Sequence, residues 1–134
     1  MRERYVFDYA VVRVVPRVDR EEFVNVGVIL FARESGTLLS AIELDRERLL
    51  SLAPELDLEL VGRHLRTVQA IADASHEGGP VAALPAPERF HWLVAPRSTV
   101  IQTSPTHVGC SADMGVALDG LMDTLVRLEV RPRS

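Results

Sequence analysis

Tyr5-Val6-Phe7-Asp8-Tyr9-Ala10-Val11-Val12-Arg13-Val14-Val15 is the stretch that decides the fold. It is β-branched and aromatic, and Pro16 follows it, so it reads as a strand that ends there. Both of its alternating faces are largely apolar, which predicts a strand in the middle of a sheet. The polar step Asp19-Arg20-Glu21-Glu22 leads into a second strand, Phe23 to Ala32 (FVNVGVILFA). A turn at Glu34-Ser35-Gly36 leads to a third, Thr37 to Leu44 (TLLSAIEL). Connections this short join neighbours, so the three strands are antiparallel.

Outward from these strands the chain turns helical. Asp45 is a good N-cap, with Leu44 and Leu49 placed as a hydrophobic staple. This first helix stops before Pro54. A second begins at Asp57, with Leu58, Val61, Leu65, Val68 and Ile71 at helical spacing. The Pro/Ala/Gly-rich stretch over residues 76–87 reads as a loop, the most flexible part of the chain. Pro87 suits the first turn of a short helix through Val94. Ser98 to Thr103 (STVIQT) is a fourth strand candidate, and Ser104 to Ala112 (SPTHVGCSA) a loop. Asp113 caps a last helix whose apolar face is Leu118, Leu121, Met122, Leu125 and Leu128, with Arg127 and Arg131 suiting the dipole at its end. The expected fold class is α+β: residues 1–134 form a single domain, a small, mostly antiparallel sheet of about three to four strands with about four helices packed on one face.

Composition narrows the function classes. The chain has 134 residues, 47% hydrophobic, with a formal net charge of −4, which fits one soluble domain and argues against general nucleic-acid binding. All 15 basic residues are arginine, which removes Schiff-base, phosphate-loop and kinase lysines; a GC-rich coding bias explains the absence of lysine. The one cysteine, Cys110, forms no internal disulfide and excludes a zinc site of several cysteines. With no apolar run of membrane-spanning length and no signal segment, the expected location is cytoplasmic. No metal and no cofactor is implied, and the oligomeric state is left open.

The block from Phe7 to Arg17 (FDYAVVRVVPR), followed by Glu21 to Leu30 (EEFVNVGVIL), resembles the bacterial family named domain of unknown function 3037. Arg97-Ser98-Thr99-Val100-Ile101-Gln102, with His107, Gly109 and Asp113, resembles the second half of that family. The resemblance covers nearly the whole chain. It implies a partner as well, since members are reported beside genes for HipA-type serine/threonine kinases.

Polar residues inside the apolar strands are the best lead to a site. Arg13 interrupts the first strand and Asn25 the second, so pairing of the two places them on one face. Arg17 and Glu22 flank them, and Arg97, Ser98 and Gln102 form a second polar group. A guanidinium cluster with hydroxyl and amide neighbours suits an anion or carboxylate; the same residues also suit ion pairs and caps that fix register. His107, Cys110 and Asp113 share one stretch, and Asp119 and Asp123 share a helix face at i, i+4. Packing and solvation explain both groups more simply than metal binding or catalysis.

Two functions are therefore open. One is a non-catalytic accessory or regulatory domain that binds a partner protein, a HipA-type kinase being the partner implied by the resemblance. The other is a small enzyme or ligand sensor that holds an anionic metabolite through Arg13, Arg17 and Arg97, with Glu22 as base.

Overall fold

The first strand is hydrogen-bonded along both of its edges. In the computed structural model, which describes residues 3–127, β1 (Tyr5–Arg17) pairs antiparallel with β2 (Glu22–Ala32) on one side. On the other side it pairs with β4 (Ile101–Thr103) and β5 (His107–Ser111), laid end to end. β3 (Thr37–Ile42) continues the sheet beyond β2. The sheet therefore has five strands, more than the expected three to four.

The extra strand runs through residues expected to form a loop. Thr103 lies opposite Val12, and His107 lies opposite Tyr9. Three residues, Ser104 to Thr106, thus stand opposite two, Ala10 and Val11, as a one-residue bulge. Pro105 has no N–H to give a ladder, and a bulge is where a strand tolerates it. Ser104 restores the lost bonds. Its backbone N–H donates to Val11 O at 2.9 Å, and its Oγ accepts from Val11 N at 2.9 Å. Ser104 is buried, so neither bond competes with solvent. Gly109 is a packing residue and not a turn: a Cβ there would lie 2.6 Å from Cζ of the buried Phe7 ring.

Helices cover both faces of the sheet, not one. α1 (Arg46–Leu52), α2 (Leu58–Ala72) and α3 (Ala86–Val94) lie on the first face. There Val12, Val14, Val24, Val26, Ile29 and Phe31 of the sheet join Leu49, Val61, Leu65, Ile71, Phe90 and Leu93 in one core. α4 (Met114–Leu125) lies on the opposite face, where Met122 and the flanking Leu118, Leu121 and Leu125 pack with Val28 and Tyr9. The cause is in β2, whose residues from Val26 to Ala32 are all buried. A strand apolar on both faces needs cover on both.

The helix starts follow the sequence. Asp45, Asp57 and Asp113 accept from the backbone N–H of Arg48, Leu60 and Val116 at 3.0–3.1 Å, each an N-cap of about 0.5–2 kcal/mol. Pro87 sits in the first turn of α3, as expected. Within the stretch expected as a loop, His76–Ala83 makes two short 3-10 turns on either side of a kink at Gly79, with Ala82 buried. Arg89 ties that region down by donating to Ile71 O and Ala72 O at the end of α2 and to Leu84 O, at 2.7–2.9 Å. Leu128 and Arg131 lie outside the described residues. No helix among those described is long and apolar enough to cross a membrane.

Two outcomes are expected. Ser104→Ala leaves the buried Val11 N–H without an acceptor, so the urea midpoint should fall by the equivalent of about 1–3 kcal/mol; an unchanged midpoint would contradict the bulge geometry. Asp8 is gripped by Arg33 through two bonds of 2.7 and 2.8 Å, and this hydrogen bonding holds its carboxyl below the ordinary value. A lowered carboxylate pKa stabilises above the unfolded value, near ~4, and the gain is lost as pH falls through the folded value. The stability lead over Asp8→Asn should thus be constant near neutral pH and shrink in acid.

Candidate functional site

Pairing in the sheet brings three of the singled-out residues into one row. Arg13 lies directly opposite Asn25 on β2 and directly opposite Gln102 on β4. Residues that face each other across an antiparallel ladder point to the same side, so the row runs across three strands. That side carries α4: Asn25 Nδ2 donates to Leu125 O at 3.0 Å, satisfying a carbonyl at the end of that helix. The Arg13 guanidinium stacks on Phe23, 4.1 Å from the ring centre, and Phe23 remains exposed. Gln102 Nε2 donates to Thr99 O at 2.9 Å.

A bulge in β2 sets this geometry. Val12 lies opposite Gly27 and Arg13 opposite Asn25, so Val26 is the extra residue. Beside it β3 comes close: a Cβ on Gly27 would stand 2.5 Å from Ala41 O. The bulge resets the alternation of β2, so that Val26 and Ile29 both reach the first core while Asn25 keeps the α4 side.

Two atoms of the row are unmatched. Arg13 Nε and Asn25 Oδ1 are buried and have no hydrogen-bond partner among the described residues. The orientation of the Asn25 amide is not arbitrary. Leu125 O only accepts, so Nδ2 must face it and Oδ1 must face away. One is a donor and the other an acceptor, on neighbouring strands. Beside Asn25 opens a groove of about 610 Å³ whose other walls include Glu43, Asp45, Arg46, Glu47 and Arg127.

The remaining singled-out residues go elsewhere. Arg17 pairs with Glu55 at 2.6 Å, between β1 and the α1–α2 connection. Hydrogen bonding to Arg17 holds the Glu55 carboxyl below its ordinary value. Glu22 pairs with Arg20. Arg97 lies on the first face, in a cavity of about 220 Å³ between α2, α3 and the start of β4. Its guanidinium stacks 4.1 Å from the Trp92 ring centre and donates to Leu93 O at 3.2 Å and to Trp92 O. Burial pushes its pKa down. Ser98 lies exposed in the α3–β4 connection. Arg13, Arg17 and Arg97 are thus three separate environments and not one cluster.

Two further groups resolve simply. Asp119 and Asp123 both accept from Arg127 Nη1, at 2.8 and 2.7 Å, and Glu43 bonds to its Nε. Hydrogen bonds to Asp123, Asp119 and Glu43, in that order, raise the Arg127 pKa above its ordinary value. His107 stacks near Tyr9, with ring centres 5.3 Å apart. Cys110 follows three residues later on the same strand, so the two side chains leave opposite faces.

A five-stranded antiparallel sheet covered on both faces, carrying a polar row on its central strand, defines an α+β domain. The chain belongs to the family described as proteins of unknown function, DUF3037, whose model matches residues 9–126. Comparison with curated proteins and with solved structures gave no match.

The unmatched Asn25 Oδ1 has a measurable consequence. A buried polar atom without a partner costs about 1–3 kcal/mol, whereas a bond such as that to Leu125 O contributes about 0.5–1.5. Asn25→Leu removes both and leaves Leu125 O, at the half-buried last turn of α4, to solvent, so it is expected to unfold at the same or higher urea concentration. A marked fall in midpoint would make Asn25 a structural cap.

Proposed function

We propose that this chain is a non-catalytic accessory or regulatory domain, acting in the cytoplasm, that binds a segment of a partner protein over the Arg13–Asn25 row. One observation carries the reading: a buried donor, Arg13 Nε–H, and a buried acceptor, Asn25 Oδ1, stand on opposed residues without partners among the described residues. Peptide groups supply the complement of both, which a segment reaches by displacing the exposed Phe23 that lies against the guanidinium. A carbonyl accepts from Nε–H, and a nearby N–H donates to Oδ1. A bare anion suits Arg13 but sets negative charge against Asn25 Oδ1, so the row favours peptide over a small anionic metabolite. The exposed Phe23 beside it adds apolar contact area, and the adjoining groove gives a segment room to lie down.

The partner implied by the family resemblance is a HipA-type kinase, and it is the first to test. Unmatched groups at a binding site trade stability for recognition, in keeping with the expectation for Asn25→Leu. The experiment is affinity purification of the tagged chain from its native cell, read by mass spectrometry, beside the double variant Arg13→Met, Asn25→Leu. A stoichiometric partner held by the native chain and lost by the folded variant is the expected result. Recovery of the chain alone, or a variant that keeps the partner, would overturn the reading.

A further inference from the structure

We infer that the cavity at Arg97 is a second, independent binding site, for a small monocarboxylate with an apolar body. The cavity lies on the sheet face opposite the Arg13–Asn25 row, so the inference does not rest on the partner-binding reading. Its floor is apolar: Val68 and Ile71 of α2 with Val100 and Ile101 at the start of β4. Its rim is polar, with Arg97, His64 and Thr99. At about 220 Å³ it falls short of the roughly 300–1,000 Å³ of sites for drug-sized ligands, so its occupant is smaller.

The charge balance supplies the second observation. Arg97, like several other described arginines, forms no ion pair, and what sets it apart is its place at this cavity. Arg97 is nonetheless partly withdrawn from water. Two carbonyls at the end of α3 and the Trp92 ring hold the guanidinium in place. They use only two of its five N–H groups. A planar cation held flat, with donors to spare and no carboxylate, at the mouth of an apolar pocket, fits one carboxylate in a forked pair. The hydrocarbon behind that carboxylate then fills the floor.

Trp92 is the only tryptophan in the chain and lines the cavity, so its fluorescence reports this site alone. The test titrates the full chain with sodium hexanoate to about 20 mM, a range suited to so small a ligand, and with hexanol and acetate as controls. The expected result is a saturable Trp92 response to hexanoate, at least tenfold weaker for hexanol and for acetate. Arg97→Gln is expected to abolish it. Thr67→Phe, which keeps Arg97 and blocks the rim from an exposed position of α2, should abolish it too. That second variant decides the matter if Arg97→Gln unfolds. No saturable response, an equal response to hexanol, or a response that survives Thr67→Phe overturns the inference.

Discussion

Everything else in this fold depends on the double pairing of β1. Its residues exchange backbone bonds with β2 along one edge and with β4 and β5 along the other. A strand so placed has no solvent-facing edge, so every bulge or polar side chain on it must be matched by its neighbours. Ser104 is the device that makes this work on the β4–β5 side. Without its Oγ, the strand opposite β1 would have to break where Pro105 removes a donor, leaving Val11 N–H buried and unpaired. The same strand serves both cores, with Val12 and Val14 buried in one and Tyr9 half-buried against the other. The three layers are therefore built on one element.

The polar row follows from that arrangement. Arg13 is at the one point of β1 where both neighbours present an amide, Asn25 on β2 and Gln102 on β4. The bulge at Val26 keeps Asn25 on the α4 side while the rest of β2 serves the first core. Bulges re-aim side chains, and beside this one stand the buried side-chain donor and acceptor that lack partners among the described residues. Arg89 makes the contrast plain. It donates to three backbone carbonyls at the ends of helical segments, whereas Arg13 Nε has no partner among the described residues, so Arg89 has a structural account and Arg13 does not.

Much of this was legible in the residues. The three leading strands and the caps Asp45, Asp57 and Asp113 follow from local chemistry, and local chemistry is what a sequence displays best. The sharing of a face by Arg13 and Asn25 follows once their strands are paired. β5 was hidden because Ser104, Pro105 and Gly109 carry turn signals, whereas here one serine replaces a ladder acceptor and one glycine makes room for the Phe7 ring. The placement of α4 was hidden differently. β2 is apolar on both faces, a signal for cover on both, but an antiparallel meander usually has one wet face. Arg17 flanks the first strand and Arg97 precedes the fourth, and position along the chain carries no information about which face a distant segment meets. The structural roles of Ser104 and Arg89 left no mark in the sequence, since each depends on a segment far along the chain.

The central claim is that β1 is bonded on both edges, and native-state hydrogen exchange tests it most directly. Val11 N–H bonds to Ser104 Oγ and Val15 N–H to Val100 O, both on the β4 side. On this account the Val11 amide exchanges only through global unfolding, as slowly as the amides of β1 that face β2. If Val11 and its neighbours on that edge exchange at the rates of loops, the β4–β5 edge does not hold, and the row at Arg13 loses the frame that positions it.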